Sequence, residues 1–514
     1  MITQQDIPQS VLIGKPLLVY TSVFISICVF LFGYDQGYFS SIIINPYFRQ
    51  KFDYPNNFQI GLIVSILEIG ALLSSLSFSF LFHSISRRKS TQYGALFFIF
   101  GGFIQSFSFN IFTICLGRFI SGLGIGILTS TAPTYISEIS HSNQRGLLGC
   151  IQFTGNIVGY STSIWLGYFC NFIENDYSFK IPLLSQCLFG FILLIGTIAL
   201  IESPRWLLEN DHDEEALIVI ADLFSNGNVH DDISIQHFKS IKGSILLAKI
   251  NNNTNNSPLS LLKQYPLRIF IACSAQFFAQ FNGINVISYY APLIFEKEGW
   301  IGSDCIKLTG INSIIYLLST LIPWKLSDYW GRKPLLILGG LLMAISLLSI
   351  SISSKFNLSL NLILSIIIYN ASFGFSWGPI GWLIGPEVLP NNARIFGSSL
   401  ATSTNWISNF IVGQMTPILL EKLKWKLYLI HATSCIISIL VVYFIYPETK
   451  GISLEQIEQI FSNDLVNNND GNNNARTPMI NSVESIDVEI PSLHSIHKHK
   501  TTNDSVSIKS FFTS

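Results

Sequence analysis

The sequence predicts an all-α membrane protein with twelve transmembrane helices, arranged as two pseudo-symmetric bundles of six. Three observations predict this fold class. The 514 residues are 49% hydrophobic and only 12% charged, whereas soluble domains are about 25% charged. Twelve apolar stretches are each about 20 residues long, which is the length that crosses a bilayer. Charged motifs of the first half recur in the second half at nearly equal offsets.

The apolar stretches fall into two groups of six. A polar connection separates them, and its charged periodicity around residues 211–224 predicts a helix there. The predicted regions are an N-terminus (1–16), a first bundle (17–200), a cytoplasmic linker (201–266), a second bundle (267–446) and a tail (447–514) that is disordered after about residue 462. The predicted spans cover residues 17–43, 58–82, 91–109, 111–134, 146–169, 181–200, 267–295, 306–326, 334–353, 360–385, 397–420 and 425–446.

Twelve spans place both termini on the same side of the membrane, and the charges indicate which side. Lys and Arg concentrate in the loops on the side of the termini, although Arg49 and Lys51 lie opposite. Because positively charged loops stay inside, both termini are predicted to be cytoplasmic. With 30 Lys and Arg against 31 Asp and Glu, the chain has no basic face for a nucleic acid. The positive residues on the predicted inner side are Arg87, Arg88, Lys89, Arg145, Arg332, Lys333 and Arg394.

Acidic and basic residues at the predicted inner ends of the spans repeat between the halves. Seven positions separate the acid from the arginine in S-E-I-S-H-S-N-Q-R and again in P-E-V-L-P-N-N-A-R, 249 positions later. Such offsets indicate an internal duplication. Ion pairs that form when the inner side is shut and break when it opens would act as gates, whereas the alternative is that the arginines only set orientation. The predicted gating residues are Glu138, Arg145, Asp328, Arg332, Glu387 and Arg394.

Amides and hydroxyls interrupt the seventh apolar stretch, in Q-F-F-A-Q-F-N-G-I-N-V-I-S-Y-Y. Polar groups inside a span mark a functional site by default. On an ideal helix Gln280 and Asn285 point about 140° apart, so both reach one ligand only if the helix unwinds between them. Asn282-Gly283 lies in that gap, and glycine tolerates an unwound backbone. The stretch therefore predicts half of a polyol-sized pocket, and the alternative is that these amides only join helices.

Asp35 of the first span is a carboxylate inside an apolar stretch. Such a group needs an interior cavity and a partner, and Arg118 of the fourth span is the candidate. If its contact with the arginine changes between states, Asp35 can load and release a proton, as proton symport requires. The alternative is a static pair that joins two helices. Glu68 in the second span is another intramembrane acid, with no assigned role.

At this point the sequence resembles the sugar porters of the major facilitator superfamily, most closely the fungal ones. The similarity covers residues 17–461. It rests on seven motif regions in order: G-Y-D-Q-G, G-R-F-I-S-G-L-G-I-G, E-S-P-R-W-L, Q-F-N-G-I-N, D-Y-W-G-R-K, G-P-I-G-W with N-W-I-S-N-F, and P-E-T-K-G-I-S-L-E-Q-I. The resemblance implies the major facilitator fold and a monosaccharide or polyol held mainly by the second half.

The resemblance also implies site residues. Asp35 occupies the position of an acid that often accompanies proton coupling, and Trp406 and Asn409 match a family signature near the inner side. Together with the polar stretch of the seventh span, the predicted substrate-binding residues are Phe32, Gln276, Gln280, Asn285, Tyr289, Tyr290, Trp382 and Asn405, and the predicted proton-coupling residues are Asp35 and Arg118.

Five positions depart from the family pattern. Ala279, Phe153 and Tyr316 stand where the family commonly has an amide, which puts glucose itself in doubt as the substrate. In the first-half loop, His83 and Ser86 replace an acid and a glycine. That replacement predicts a weaker or pH-sensitive inner gate.

The predicted function is secondary active import of a monosaccharide or small polyol with a proton, by alternating access, at the plasma membrane. The alternatives are a proton-independent facilitator and a transporter-like nutrient sensor that signals through its tail. Nothing in the sequence resembles a catalytic arrangement, so no enzymatic activity is expected. No cofactor or metal is expected. The expected partners are the sugar or polyol, a proton and the lipid bilayer, with the protein acting as a monomer.

Overall fold

A computed structural model describes residues 12–81, 85–140, 145–251, 258–390, 393–451 and 461. All regular secondary structure within these ranges is helical. The twelve spans, in order, comprise the helices Lys15–Ile42, Asn57–Leu81, Arg87–Ser106, Ile111–Ile139, Arg145–Cys170, Tyr177–Gly196, Pro266–Phe281 with Ile284–Lys297, Ser303–Ser319 with Pro323–Tyr329, Arg332–Phe356, Ser359–Phe375 with Trp377–Val388, Arg394–Lys422, and Leu427–Ile445.

Composition alone identifies fewer spans than the structure contains. Within the described residues, nine helical segments are long and apolar enough to cross a bilayer. The third, fifth and eleventh spans are the others, and each has at least 20 residues but carries polar side chains along its length. The eleventh, for example, buries Asn405, Asn409 and Gln414. Polar side chains that face the protein interior lower the apolarity of a span without exposing it to water.

The described residues form two compact units. The linker unit contains residues 12–18 and 202–251, with short helices Pro204–Glu209, Asp213–Phe224 and Asp232–Asn251. Leu208, Leu217, Ile220 and Phe238 are buried together in its core. The helix predicted around residues 211–224 is confirmed. The tail, predicted to be disordered after about residue 462, lies outside the described residues.

The membrane unit contains the described residues of 19–201 and 255–473. We call the end where the second span finishes and the third begins the termini end, because the first span starts and the twelfth finishes at that end, and the opposite one the far end. The remaining short elements are Pro46–Lys51 and Lys424–Lys426 at the far end, and Thr197–Ala199 and Pro258–Gln264 at the termini end.

Close helix packing brings the polar residues of the first half together. A Cβ atom on Gly122 of the fourth span would lie 2.1 Å from the backbone oxygen of Leu67 in the second span. Only glycine permits this approach. Consequently Arg118, one turn earlier, reaches the second span, where its Nη2 donates to the backbone oxygen of Val64 at 2.7 Å.

The two halves meet along two pairs of spans. The second span packs on the eleventh, where the Oγ of Ser399 donates to the backbone oxygen of Ser75 at 2.6 Å. The fifth packs on the eighth, where the hydroxyls of Ser161 and Ser313 are 2.9 Å apart. Serines at such contacts allow close approach and hydrogen-bond across helices.

The seventh span is broken where the sequence predicted it. Its first helix ends at Phe281 and its second begins at Ile284. Gly283 has φ +99°, a conformation that favours glycine. We call the second helix, Ile284–Lys297, the seventh-span half-helix. The backbone oxygen released at Asn282 accepts a hydrogen bond from the hydroxyl of Tyr369 at 2.8 Å, so the break is satisfied inside the protein, as membrane depth requires.

Candidate functional site

A cavity lies between the two halves at the level of this break. The space within it, with the open solvent at its mouth included, is about 480 Å³. The second half supplies more of the wall than the first. The lining residues are Phe32, Gln36, Phe153, Asn156, Ile157 and Tyr160 from the first half, and Ala279, Gln280, Ile284, Asn285, Ser288, Tyr316, Phe373, Gly378, Trp382 and Asn405 from the second.

The break in the seventh span brings two amides to one wall. Asn285 donates through Nδ2 to the Oε1 of Gln280, from the other side of the break. The same amide nitrogen donates to the Oδ1 of Asn409 at 2.7 Å. Both donors of Asn285 are therefore held by protein. Its carbonyl oxygen and the nitrogen of Gln280 remain to meet a ligand.

Aromatic rings form the apolar part of the wall. Phe32 packs edge-on against Trp406, with ring centroids 5.0 Å apart, and Tyr160 packs against Tyr316 at 6.2 Å. The hydroxyl of Tyr160 donates across the halves to the backbone oxygen of Ser288 at 3.1 Å. Rings and amides on one wall suit a ligand that has both C–H and hydroxyl groups.

A buried ion pair lies beside the cavity, in the first half. Nη1 and Nη2 of Arg118 each lie 3.2 Å from a different carboxylate oxygen of Asp35. The hydroxyl of Tyr38 donates to the same carboxylate at 2.7 Å, and the ring of Phe39 lies 3.9 Å from the guanidinium carbon. Asp35 is 2% and Arg118 1% exposed. Because neither charge is solvated by water, each is compensated by the other.

A second carboxyl group joins the two halves. Glu68 is fully buried in the second span, and its Oε1 accepts a hydrogen bond from the hydroxyl of Tyr289 in the seventh-span half-helix, at 2.8 Å. The Tyr289 oxygen in turn accepts from Gln36 at 3.3 Å and from Asn409 at 3.4 Å. Tyr289 thus connects Glu68 to side chains from both halves.

Ion pairs lie at the termini end of each half. In the first half, Arg87 lies with its Nη2 2.9 Å and its Nε 3.2 Å from the two carboxylate oxygens of Glu138. In the second half, Nη2 of Arg332 lies 2.9 Å from Glu387 and Nη1 lies 3.2 Å from Asp328. Each pair joins spans within one half.

The far end carries an ion pair between the halves. Arg49, after the first span, binds both carboxylate oxygens of Glu296 at 2.9 and 2.8 Å. Glu296 lies near the end of the seventh-span half-helix. Asn57 also donates to Glu421 across the halves at this end. Arg49, which broke the charge pattern of the sequence, thus has a partner in the other half.

The family model described as "Sugar (and other) transporter" matches residues 21–461. The chain belongs to the sugar porters of the major facilitator superfamily. It is an integral, multi-pass membrane protein of a transporter family, and the twelve-span fold expected from the sequence is confirmed.

Several transporters are similar to this sugar porter. It is 30% identical over 460 residues to a high-affinity glucose transporter of Kluyveromyces lactis, covering 85% of this chain and 83% of that protein. It is 29% identical over 473 residues to Sugar transporter STL1 of Saccharomyces cerevisiae, with 88% and 82% covered. The proton:xylose symporter XylE bound to 6-bromo-6-deoxy-D-glucose has a similar fold, with a TM-score of 0.77 and 24% identity over 87% of this chain and 99% of that one.

The structure separates the eight predicted substrate residues of this sugar porter into two groups. Phe32, Gln280, Asn285, Trp382 and Asn405 line the cavity. The other three lie behind its wall, where their polar groups bond to protein. Gln276 donates to the backbone oxygen of Gly381 and accepts from Asn405, Tyr289 donates to Glu68, and Tyr290 donates to the backbone oxygen of Gly413.

The wall also contains polar residues that the sequence did not single out, namely Gln36, Asn156, Tyr160 and Ser288. Gln36 had a usable signal, because it lies four residues after Phe32 and so on the same helical face. Asn156 had the same kind of signal, because it lies three residues after Phe153 and four before Tyr160 on one helical face. Three positions that depart from the family pattern, Phe153, Ala279 and Tyr316, also lie on the wall.

Three of the predicted gating residues are paired with one another, since Arg332 binds Glu387 and Asp328. Glu138 binds Arg87 of the third span, which the sequence had used only to set orientation. The side chain of Arg145 lies outside the described residues. Arg394 donates to the backbone oxygen of Leu389 at 3.3 Å. Of the two replaced loop residues, His83 lies outside the described residues, and Ser86 caps the third span by accepting from the backbone nitrogen of Lys89.

Proposed function

We propose that this sugar porter imports a monosaccharide or small polyol together with a proton, by alternating access, acting as a monomer at the plasma membrane with both termini in the cytoplasm. One observation carries the proposal. Phe32 and Gln36 of the first span line the cavity, and Asp35 between them forms the buried pair with Arg118. A single helical turn therefore borders both the substrate site and an ionisable pair.

The chemistry of the wall favours a polyhydroxylated ligand. Gln280, Asn285 and Asn405 supply amides from three separate helical segments, and Phe32 and Trp382 supply rings. Amides can donate to and accept from hydroxyl groups, while rings pack on the C–H face of a sugar. The second half supplies most of the wall, which supports a ligand held mainly there. Ala279, Phe153 and Tyr316 replace amides, which supports a substrate other than glucose.

The buried pair supplies what proton coupling requires. Breaking a buried pair leaves an uncompensated charge, which costs about 3–5 kcal/mol. A proton on Asp35 removes its negative charge and weakens its hold on Arg118. If the pair separates during the cycle, separation and protonation favour each other, so the movement of the helices is linked to the movement of a proton.

The seventh-span half-helix links the cavity to the far end. Asn285 at its start lines the cavity, and Glu296 near its end binds Arg49 of the first half. A ligand that engages Asn285 holds the start of a helix whose other end is paired with the first half at the far side. The break at Gly283 lets this helix tilt without moving the rest of the span. The geometry supports alternating access in which ligand binding favours the closed far end.

Uptake measurements test the proposal. Cells that lack other sugar carriers would express the full chain and receive radiolabelled D-glucose, D-xylose, D-mannitol or glycerol at an acidic and a neutral pH. We expect at least one compound to accumulate, and a protonophore to abolish the accumulation. Asp35→Asn should lose accumulation. Asp176→Asn, on a surface loop, is the matched control and should accumulate like the unchanged protein.

Two results would contradict parts of the proposal. Uptake that neither the protonophore nor Asp35→Asn changes would show a proton-independent facilitator. No uptake of any of the four compounds, from protein that reaches the plasma membrane, would remove this group of sugars and polyols as substrates. Where a labelled compound does accumulate, competition by unlabelled sugars and polyols at the two pH values ranks the substrates.

A further inference from the structure

Glu68 has no part in the transport scheme above, although its surroundings indicate a functional carboxyl group. It lies near the middle of the second span and is fully buried. One carboxylate oxygen, Oε1, accepts from Tyr289 of the other half. The other, Oε2, has no hydrogen-bond partner among the described residues. A buried carboxyl group with one unpartnered oxygen lowers the stability of the fold, so its presence indicates a function.

The donors around Tyr289 determine the direction of its hydrogen bond. The amide nitrogens of Gln36 and Asn409 both point at the tyrosine oxygen, and amide nitrogens only donate. The single hydroxyl proton of Tyr289 is therefore directed to Glu68. Since Oε1 only accepts, a proton added to Oε2 leaves the hydrogen bond from Tyr289 in place but weakens it, because a neutral carboxyl group is a weaker acceptor than a carboxylate.

Tyr289 connects Glu68 to the cavity by two routes. The first is direct, because Gln36, which donates to Tyr289, lines the cavity. The second runs through Asn409, whose Oδ1 accepts from Asn285 on the opposite wall at 2.7 Å. A change in the charge of Glu68 alters the hydrogen bond of Tyr289, and through it the amides that face the ligand.

Several ionisable groups face Glu68 from the helices packed around it. Arg118 of the fourth span and Asp35 of the first span act on it electrostatically, and Tyr290 of the seventh span also interacts with it. Tyr38 is bonded to Asp35 and Arg118. The eleventh span presents only amides and hydroxyls in its described buried part. Protonation of Glu68 therefore changes the electrostatic interactions of the Asp35–Arg118 pair and the hydrogen bonds at the cavity wall.

We propose that Glu68 is a second proton-binding carboxyl group of the transport cycle, linked to the sugar cavity through Tyr289, Gln36 and Asn409. A proton from water forms a bond to Oε2 and returns to water when that bond breaks, with no other bond changed. This inference rests on the proposed function, since it concerns the coupling of sugar transport to protons. Glu68 acts here on the ligand through other residues, as a positioning group.

The test separates sugar movement from proton-driven accumulation. The full-length protein, reconstituted in liposomes, would be assayed with labelled D-glucose, D-xylose, D-mannitol and glycerol. Counterflow exchange at equal pH measures sugar movement, and accumulation under a pH gradient measures coupling. Glu68→Gln keeps the shape of the side chain and an acceptor for Tyr289 but cannot bind a proton. We expect exchange within about threefold of the unchanged protein and accumulation lowered about tenfold or more.

A second variant tests the connection without altering Glu68. Tyr289→Phe removes the hydroxyl that joins the carboxyl group to the cavity amides, so the apparent KM for exchange should lose its dependence on pH. Tyr446→Phe is the matched control. That buried hydroxyl bonds to Ser274 and to the backbone oxygen of Ile271, within the second half, and its removal should leave the pH dependence of KM unchanged.

Each other outcome overturns the inference. If the Glu68→Gln variant accumulates sugar like the unchanged protein, Glu68 carries no coupled proton. A folded Glu68→Gln that loses exchange as well assigns Glu68 to holding the halves together. If Glu68→Gln does not fold, an unaltered pH dependence of KM in Tyr289→Phe rejects the connection. In contrast, an unchanged protein that accumulates nothing under a pH gradient contradicts the proposed symport itself.

Discussion

Asp35 and Asn282 lie in the opening span of the first and the second half, and their surroundings differ. The first span is one continuous helix, Lys15–Ile42, through Asp35, which binds Arg118. The seventh span is broken at Asn282, which donates to Ser438 and accepts from Ser434. Both side chains are buried.

The difference shows how the duplicated halves can divide the work. A buried charge must keep its partner, because separation costs several kcal/mol. A neutral amide exchanges hydrogen-bond partners at about 1 kcal/mol each. A break that bends is therefore better placed beside a neutral amide, and an ionisable pair is better placed in a continuous helix.

The largest expected effect comes from moving the charge to the broken helix. Asn282→Asp places a carboxyl group where the side chains bonded to it, among the described residues, are Ser434 and Ser438 and not an arginine. We expect the free energy of unfolding to fall by about 3 kcal/mol. The melting temperature of the detergent-purified protein measures this loss.

The control for that prediction is an exposed asparagine. Asn175 accepts from the backbone nitrogen of Tyr177, a bond that aspartate also makes, so Asn175→Asp should leave the melting temperature almost unchanged. If Asn282→Asp melts like the control, the second half tolerates a charge and the proposed division of work is incorrect.

The next effect concerns the break itself. In Gly283→Ala the alanine would have to adopt φ +99°, and its Cβ would lie 3.0 Å from the His431 side chain in the twelfth span. We expect a loss of stability of about 2 kcal/mol, with reduced exchange because the half-helix can no longer tilt freely. Melting temperature and counterflow exchange are the measurements.

Gly299 separates backbone strain from crowding in this prediction. It has a similar φ of +94°, but a Cβ there meets nothing within 4 Å. Gly299→Ala should cost about 1 kcal/mol and leave exchange intact. Equal loss of exchange in both variants would show that the position of Gly283 in the span is unimportant.

The smallest effect concerns one wall position in the second half. Ala279 and Phe32 both line the cavity, one with a methyl group and the other with a ring. Ala279→Gln adds the amide that the family commonly has there, so preference between D-glucose and D-mannitol should shift about fivefold. Competition for uptake by the two unlabelled compounds measures the ratio.

Ala279→Leu is the matched control, because it adds bulk without hydrogen-bonding groups. A similar shift in both variants would attribute selectivity to size. Unchanged selectivity in Ala279→Gln would show that this part of the wall does not touch the ligand.

The spans were largely predictable because each crosses the apolar core of the bilayer, which requires a long apolar stretch. The third span shows the limit. It was predicted from residue 91 but begins at Arg87, capped by Ser86. Hydropathy does not detect a helix that continues into charged residues, because a side-chain cap and an ion pair, rather than lipid, stabilise that turn.

The candidate site was only partly predictable. The break at Gly283 followed from the spacing of the amides, because periodicity relates residues of one helix. Periodicity could not show that Tyr289 and Gln276 face protein, since that depends on which neighbouring helix approaches.

Residue order alone was enough to predict the class of fold, the duplication, the break in the seventh span and the candidate pairing of Asp35 with Arg118. These follow from local rules: apolar length, similar offsets, helical spacing and the cost of an isolated charge in a bilayer. The packing of the helices was needed to establish which polar groups line the cavity, that Arg87 binds Glu138, and that Glu68 reaches the other half through Tyr289. Such partners lie on different helices, and their choice depends on how closely those helices pack.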